Sequence, residues 1–318
     1  MISVERAKIL ESKAICRNHV RMRLAAPRLA GSCVPGQFVN VRCTPMSFAA
    51  KAFEGWEECA KACGRKAPPQ TLLMRPFAIH RSWTKGPRKG QVEILFKIVG
   101  KGTRILAARK PGSSLDLMGP LGRGFDLDRA RWLSTAVLVA GGVGVAPLFQ
   151  LAEFLRRQHV HTFVLVGAMS EKDIPLDIAD SRLTLSFMET KPEATITAKE
   201  FRALGCEVGI VLMDGKKGYA GLPTEALDRF LHRTEGGARG EACVFTCGPW
   251  AMMRAVAKHA AEHDLACQAL LEERMACGIG ACMACSVRLR GADGGVVRKR
   301  VCIEGPVFDA AEVIWDES

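Results

Sequence analysis

The sequence predicts a multi-domain chain of three units in tandem: a small antiparallel β-barrel, a doubly wound parallel α/β sheet and a compact C-terminal cysteine module. Three observations predict it. Short strand-like segments broken by Gly and Pro run to about residue 125. Wholly apolar strand-like segments then alternate with helical ones to about residue 265. Three cysteines spaced C-x4-C-x2-C, with a fourth one hairpin later, dominate what remains. The expected divisions are 1–125, with an insertion at about 44–72, then 126–265 and 266–318.

In the first unit the strand candidates are 8–16, 20–24, 37–43, 73–80 and 91–99, the cadence of a small barrel. The insertion reads as helical. Its Cys59 and Cys63 share a face at i,i+4, where packing explains them more readily than a metal does. Arg75-Pro76-Phe77-Ala78 offers a guanidinium able to grip a diphosphate with two parallel hydrogen bonds, although alone it reads as an exposed strand arginine. Gly100-Lys101-Gly102-Thr103 opens a short helix, 103–109, whose first N–H groups suit an anion. Residues 119–125 read as a turn-rich hinge or a plain linker.

In the second unit, residues 136–140 form an apolar strand that runs into Gly141-Gly142-Val143-Gly144-Val145-Ala146-Pro147 and a helix with Leu148, Leu151, Ala152 and Leu155 on one face. Glycines at such a turn let the backbone approach a pyrophosphate lying on the helix N-terminus. The G-G-x-G-x-x-P form is not the usual dinucleotide fingerprint, and glycine turns also serve close packing. Cys247-Gly248-Pro249 ends a later strand, at the sheet edge where ligands bind. For Cys247 itself a buried small residue is an equal explanation. Further strands are expected at 162–168, 183–187, 208–213 and 242–246, with helices at 224–231 and 250–263. Continuous apolar strands alternating with helices indicate a parallel sheet covered on both faces.

The third unit carries Cys277, Cys282, Cys285 and Cys302. This spacing matches the ligand set of a [2Fe–2S] cluster, whose small core demands a tightly curled loop. Gly278 and Gly280 allow that curl, and a hairpin of 286–290 and 296–301 delivers Cys302. Structural zinc sites usually pair two C-x2-C units, and only Cys282/Cys285 fits that pattern.

Composition narrows the class further. Thirteen cysteines without regular pairing, and no hydrophobic leader after Met1, point to a reducing cytoplasm. The apolar run 136–149 is too short to span a bilayer. The net charge of +12 is spread along the chain without an aromatic-studded basic motif, which favours an acidic partner or anionic cofactors over nucleic acid.

The order of these motifs resembles the ferredoxin–NADP reductase superfamily and, more closely, the electron-transfer subunits of NAD-dependent, B-type dihydroorotate dehydrogenases. It is carried by residues 35–39, 75–79, 99–103, 119–125, 141–148, 247–249, 273–285 and 301–308, nearly the whole chain apart from the insertion. The resemblance implies FAD held by Arg75, Pro76, Phe77 and Ala78, by Leu95, Phe96 and Lys97, and by Gly102 with Thr103. It implies NAD(H) at Gly141, Gly142, Gly144 and Pro147, with Cys247, Gly248 and Pro249 beside them. Two positions depart from the family pattern: Ala78 replaces a hydroxyl residue near the reactive edge of the flavin, and Phe96-Lys97 replaces Tyr-Arg.

The implied partner is an FMN-containing catalytic subunit that oxidises dihydroorotate, in a complex with two copies of each chain, its cluster ligands Cys282 to Cys285 facing that subunit. No acid–base residue for dihydroorotate is expected here. Acidic residues in 169–173 favour NAD over NADP, while Lys216 and Lys217 are the competing attraction for a 2′-phosphate. The competing readings are a flavin/iron–sulfur subunit of a cytosolic hydrogenase or transhydrogenase-type complex, and a docking module without flavin.

Overall fold

A computed structural model describes residues 2–44, 73–181, 195–233 and 242–315. The first unit is a closed six-stranded barrel in the order β1-β2-β5-β4-β3-β6. Its strands are β1 (Ser3–Cys16), β2 (His19–Ala25), β3 (Phe38–Arg42), β4 (Arg75–Trp83), β5 (Gln91–Lys97) and β6 (Ser114–Leu121). Helix α1 (Pro27–Ser32) follows β2, and α2 (Lys101–Ala107) follows β5. Alternation places Ile9, Met22, Leu24, Val39, Val41, Ile79 and Ile94 fully inside, each contributing about 1.5–3 kcal/mol by leaving water. The sixth strand is a correction to the sequence reading. Residues 119–121, expected in a hinge, are the end of β6, and pairing with both β1 and β3 closes the barrel.

The second unit is a seven-stranded sheet in the order β12-β11-β8-β7-β13-β14-β17. Its strands are β7 (Thr135–Gly141), β8 (His161–Ala168), β11 (Glu207–Leu212), β12 (Tyr219–Ala220), β13 (Ala242–Cys247), β14 (Ala266–Leu270) and β17 (Val307–Asp309). All neighbours are parallel except β14 and β17. A short ladder of β9 (Ile178–Ser181) and β10 (Thr195–Ala198) stands beside it. Helices α3 (Leu127–Ala130), α4 (Val145–Arg157), α5 (Lys199–Ala203), α6 (Pro223–Arg233) and α7 (Trp250–Glu262) complete the unit. The sheet continues past the expected division at residue 265, since β14 and β17 both belong to it. The strand expected at 183–187 and the insertion with Cys59 and Cys63 lie outside the described residues.

The strand order reverses between β7 and β13. These neighbours pair Ala140 with Cys247, so both glycine turns emerge side by side at their C-terminal ends. That is the switch point where doubly wound sheets bind ligands. Helix α4 lies between the sheet and the barrel, which explains its burial well beyond the predicted face. Its Gln150 donates from Nε2 to Ser82 Oγ at 2.8 Å, and His80 Nδ1 donates to the Ala146 carbonyl at 3.0 Å. Between β14 and β17 the chain forms the cysteine loop and an antiparallel hairpin, β15 (Ser286–Arg290) with β16 (Val296–Arg300).

Candidate functional site

The four cysteines expected as cluster ligands converge. Sγ atoms of Cys277 and Cys282 lie 3.3 Å apart, and the Cys302 thiol lies beside that of Cys285. Burial raises the Cys277 thiol, but N–H groups of Ile279, Cys282 and Ala281 aimed at its sulfur bring it down to about 6. A ring of amides pointing at sulfur is what a thiolate-ligated iron–sulfur core requires. Burial, with Cys285 alongside, pushes Cys302 up to about 12, the cost of holding that thiolate without a bound cation. Cys285 and Cys302 are buried, whereas Cys277 and Cys282 are half-exposed. The outward edge of the site is therefore Cys277 with Cys282, flanked by exposed Ile279 and Met283, rather than the 282–285 segment as a whole.

The loop is held from two sides. Arg300 donates from Nη1 to the Gly280 carbonyl at 2.8 Å while its Nε and backbone N–H both donate to Glu304. On the other side Gly278, at φ 71°, lies against the side-chain amide of buried Asn40 on β3, where a Cβ would not fit. Asn40 is paired with Pro76 of the Arg75–Ala78 motif, so the cluster loop rests on the strand beside that motif.

A cavity of about 290 Å3 opens between barrel, sheet and cysteine loop. Arg75, Pro76, Phe77, Ala78, Leu95, Phe96, Lys97 and Thr103, the residues the resemblance assigns to FAD, line it, and Pro147 of α4, expected at the nucleotide, lines this cavity and not the next. Gly102 is buried in the first turn of α2. Two polar groups are otherwise engaged. Arg75 Nη1 donates to the carbonyls of Leu73 and Met74, and Thr103 Oγ1 accepts from the N–H groups of Val99 and Gly100. Sequence reasoning left out Gly36, Phe38, Leu270, Leu271, Glu272, Glu273, Met275 and Pro306. Gly36 and Phe38 come from the barrel beside β4, whereas Leu270 to Met275 and Pro306 arrive only because β14 feeds the cysteine loop back across the barrel, which no local pattern signals.

A second cavity, about 500 Å3, adjoins the first through Lys97, Val143 and Glu272. Gly141, Gly142, Gly144, Gly248 and Pro249 line it. Cys247 does not reach it: its thiol is fully buried and pushed far up, by burial first and then by the nearby Glu272 charge. The contribution of Cys247 is its carbonyl, packed so closely under Gly144 that a Cβ there would collide with it. Met169 and Asp173 also line this cavity, while Lys217 is tied to Glu171 at 3.0 Å. Glu272, exposed at the junction of the cavities, has its carboxyl raised by the partial loss of water from the walls around it.

Behind both cavities a cluster of charges joins barrel to sheet. Glu200 on α5 meets Arg21 Nη1 at 2.6 Å, Arg81 Nη2 at 3.4 Å and His80 Nε2 at 3.8 Å, all from the barrel. Burial raises the Glu200 carboxyl, but His80, Arg21 and Arg81 more than reverse this and hold it at about 2. Phe149 of α4 stacks against both the His80 ring and the Arg81 guanidinium. No local pattern signals this lock, because its members are scattered over four elements.

Barrel, switch-point sheet and cysteine loop together define a ferredoxin-reductase-type fold with a four-cysteine loop. An NADH-dependent reduced ferredoxin–NADP oxidoreductase has this architecture at a TM-score of 0.70, over 97% of this chain and 90% of its own, with 22% identity. The ferredoxin reductase of carbazole 1,9a-dioxygenase shares it at 0.54, over 83% of this chain and 67% of its own, with 16% identity.

Residues 272–314 match the iron–sulfur cluster binding domain of dihydroorotate dehydrogenase B. The electron transfer subunit of dihydroorotate dehydrogenase B (NAD(+)) from Desulforamulus reducens is 34% identical over 316 residues, covering 99% of this chain and all of the relative. Its counterpart from Bacillus caldolyticus is 31% identical over 314 residues, again covering 99% and 100%. The chain belongs to the family of dihydroorotate dehydrogenase B electron transfer subunits.

Proposed function

We propose that this chain is the electron-transfer subunit of an NAD-linked dihydroorotate dehydrogenase, relaying electrons from a separate catalytic subunit to NAD+ through a [2Fe–2S] cluster and FAD. The observation that carries the reading is continuity. Glu273 and Met275, on the segment leading into Cys277, line the barrel cavity, and that cavity opens into the glycine-lined one. Three cofactor stations would then lie in sequence, the two cavities sharing Lys97, Val143 and Glu272 as walls. When bound, flavin exchanges hydride with nicotinamide and single electrons with the cluster, joining two chemistries that cannot meet directly.

In this proposal the protein's own groups bind and orient. Cys277, Cys282, Cys285 and Cys302 hold the cluster. Arg75, Pro76, Phe77, Ala78, Leu95, Phe96, Lys97, Gly102 and Thr103 hold FAD, with Arg75 swinging from the Leu73 and Met74 carbonyls to the diphosphate. Phe77, Phe96 and Pro147 exclude water from the ring site. Gly141, Gly142, Gly144, Gly248 and Pro249 let the nucleotide approach the backbone, and Cys247 supports them from beneath. The tie between Lys217 and Glu171 favours NAD(H), since the lysine charge is already answered and Asp173 stands in the cavity.

The partner in this proposal carries FMN, pairs with this chain two to two in the cytoplasm, and docks on the exposed edge with Ile279 and Met283. The test is co-expression with a candidate FMN-barrel subunit, followed by assay of orotate formation. NAD+-dependent orotate formation that requires this chain is expected. A partner that forms a stable complex yet gives no NAD+-dependent orotate would overturn the proposal.

A further inference from the structure

Far from these cavities, helices α6 and α7 pack side by side and bring together two i,i+4 pairs, Asp228 with His232 and His259 with His263. One donor atom from each of Asp228, His232 and His263 lies within 4.8 Å of the other two. The rings of His232 and His263 face one another at 4.9 Å between centroids. His232 Nδ1 donates to the Asp228 carbonyl at 3.1 Å and lies 3.6 Å from Asp228 Oδ1, so the ring is held through Nδ1 and its Nε2 is the nitrogen left to ligate. Neighbouring ligands of a tetrahedral zinc ion with bonds of about 2.0–2.1 Å stand about 3.4 Å apart, so donor atoms within 4.8 Å of one another need only a modest closing.

A second observation points to the same place. His259 Nδ1 is buried and makes no hydrogen bond among the described residues, yet lies 3.1 Å from the same Asp228 oxygen. A histidine beside a ligating carboxylate fixes the direction of that carboxylate, a role typical of groups just behind the ligands.

We infer that Asp228, His232 and His263 form a binding site for a divalent transition ion of the zinc type, with His259 positioning the carboxylate and water completing the coordination. Two imidazoles and one carboxylate suit such an ion and not the oxygen-seeking magnesium or calcium. The site is separate from the nucleotide turn. Helix α7 starts just after Pro249 and runs for 13 residues, about 20 Å, before His263 ends it. Its effect is therefore to staple α6 to α7 and not to take part in electron transfer.

The test is isothermal titration of Zn2+ into the metal-scrubbed protein with cluster and flavin in place, following cluster absorption throughout. A single saturable equivalent that leaves the cluster spectrum intact is expected. It should be lost in His232→Ala/His263→Ala and weakened about 10–100-fold in His259→Gln. Unchanged flavin and cluster spectra in the variants establish that they are folded. Binding that persists in the double variant, binding that bleaches the cluster, or no saturable binding would overturn the inference.

Discussion

Replacing Glu200 by glutamine should cost the folded chain about 3 kcal/mol at neutral pH. A carboxyl held at about 2 in the folded chain, against 4.5 unfolded, corresponds to that amount. The figure needs little reduction for solvent screening, because the Glu200 side chain is only 9% exposed. Removing one partner of a buried charge cluster independently gives about 3–5 kcal/mol; Arg81 would lose its carboxylate, and Arg21 would keep only the longer 3.8 Å contacts to Glu93 and Asp177.

The folded value is depressed, so the stabilisation is fully present above about pH 4.5 and fades as pH falls toward 2. The gap between wild type and Glu200→Gln should therefore be wide at pH 7 and narrow steadily below 4.5. Urea titration of the cofactor-loaded protein at several pH values, read by release of flavin fluorescence, measures it. Because Glu200 is on the sheet side and its partners are on the barrel, the flavin signal should move first. A loss under about 1 kcal/mol at pH 7, or a gap that widens in acid, would refute the assignment of Glu200 as the anionic centre of the lock.

Other outcomes follow from the same geometry. Cys302→Ser removes the innermost thiolate, so iron content and the signal of the reduced cluster in electron paramagnetic resonance should collapse while flavin content holds. Gly144→Ala drives a Cβ into the Cys247 carbonyl; overpacking of this kind costs about 1–3 kcal/mol, and KM for NADH should rise about 10-fold with FAD retained. Glu171→Ala frees Lys217 to meet a 2′-phosphate, so the ratio of kcat/KM for NADPH over NADH should rise about 10-fold, as one charge-assisted hydrogen bond allows.

Much of this fold is legible in the sequence because the decisive patterns are local. Apolar runs at β7, β8, β11 and β13 mark strands buried on both faces, and Gly141–Pro147 marks the turn that feeds α4. Structure set by distant partners is not legible in this way. Strand β6 is a strand because β1 and β3 close around it, although its Gly119-Pro120 ending reads as a turn. Strand β14 is five residues long and precedes the cysteine loop, so by local pattern it reads as part of the module that it instead anchors. The candidate site divides in the same way. Arg75–Ala78, Leu95–Lys97 and the glycine turns announce themselves, while Leu271, Glu272 and Pro306 reach the cavities only through the return of the chain.

By itself the sequence determined the chemistry. Four cysteines at fixed spacing with Gly278 and Gly280 among them specify a tight thiolate loop, because ligand identity and backbone freedom are properties of neighbouring residues. Only the tertiary structure decided which edge of that loop faces outward, that the loop rests on Asn40 beside the Arg75 strand, and that Glu200 locks the sheet to the barrel. Those relations join residues many positions apart, and packing rather than sequence order sets the distances between them.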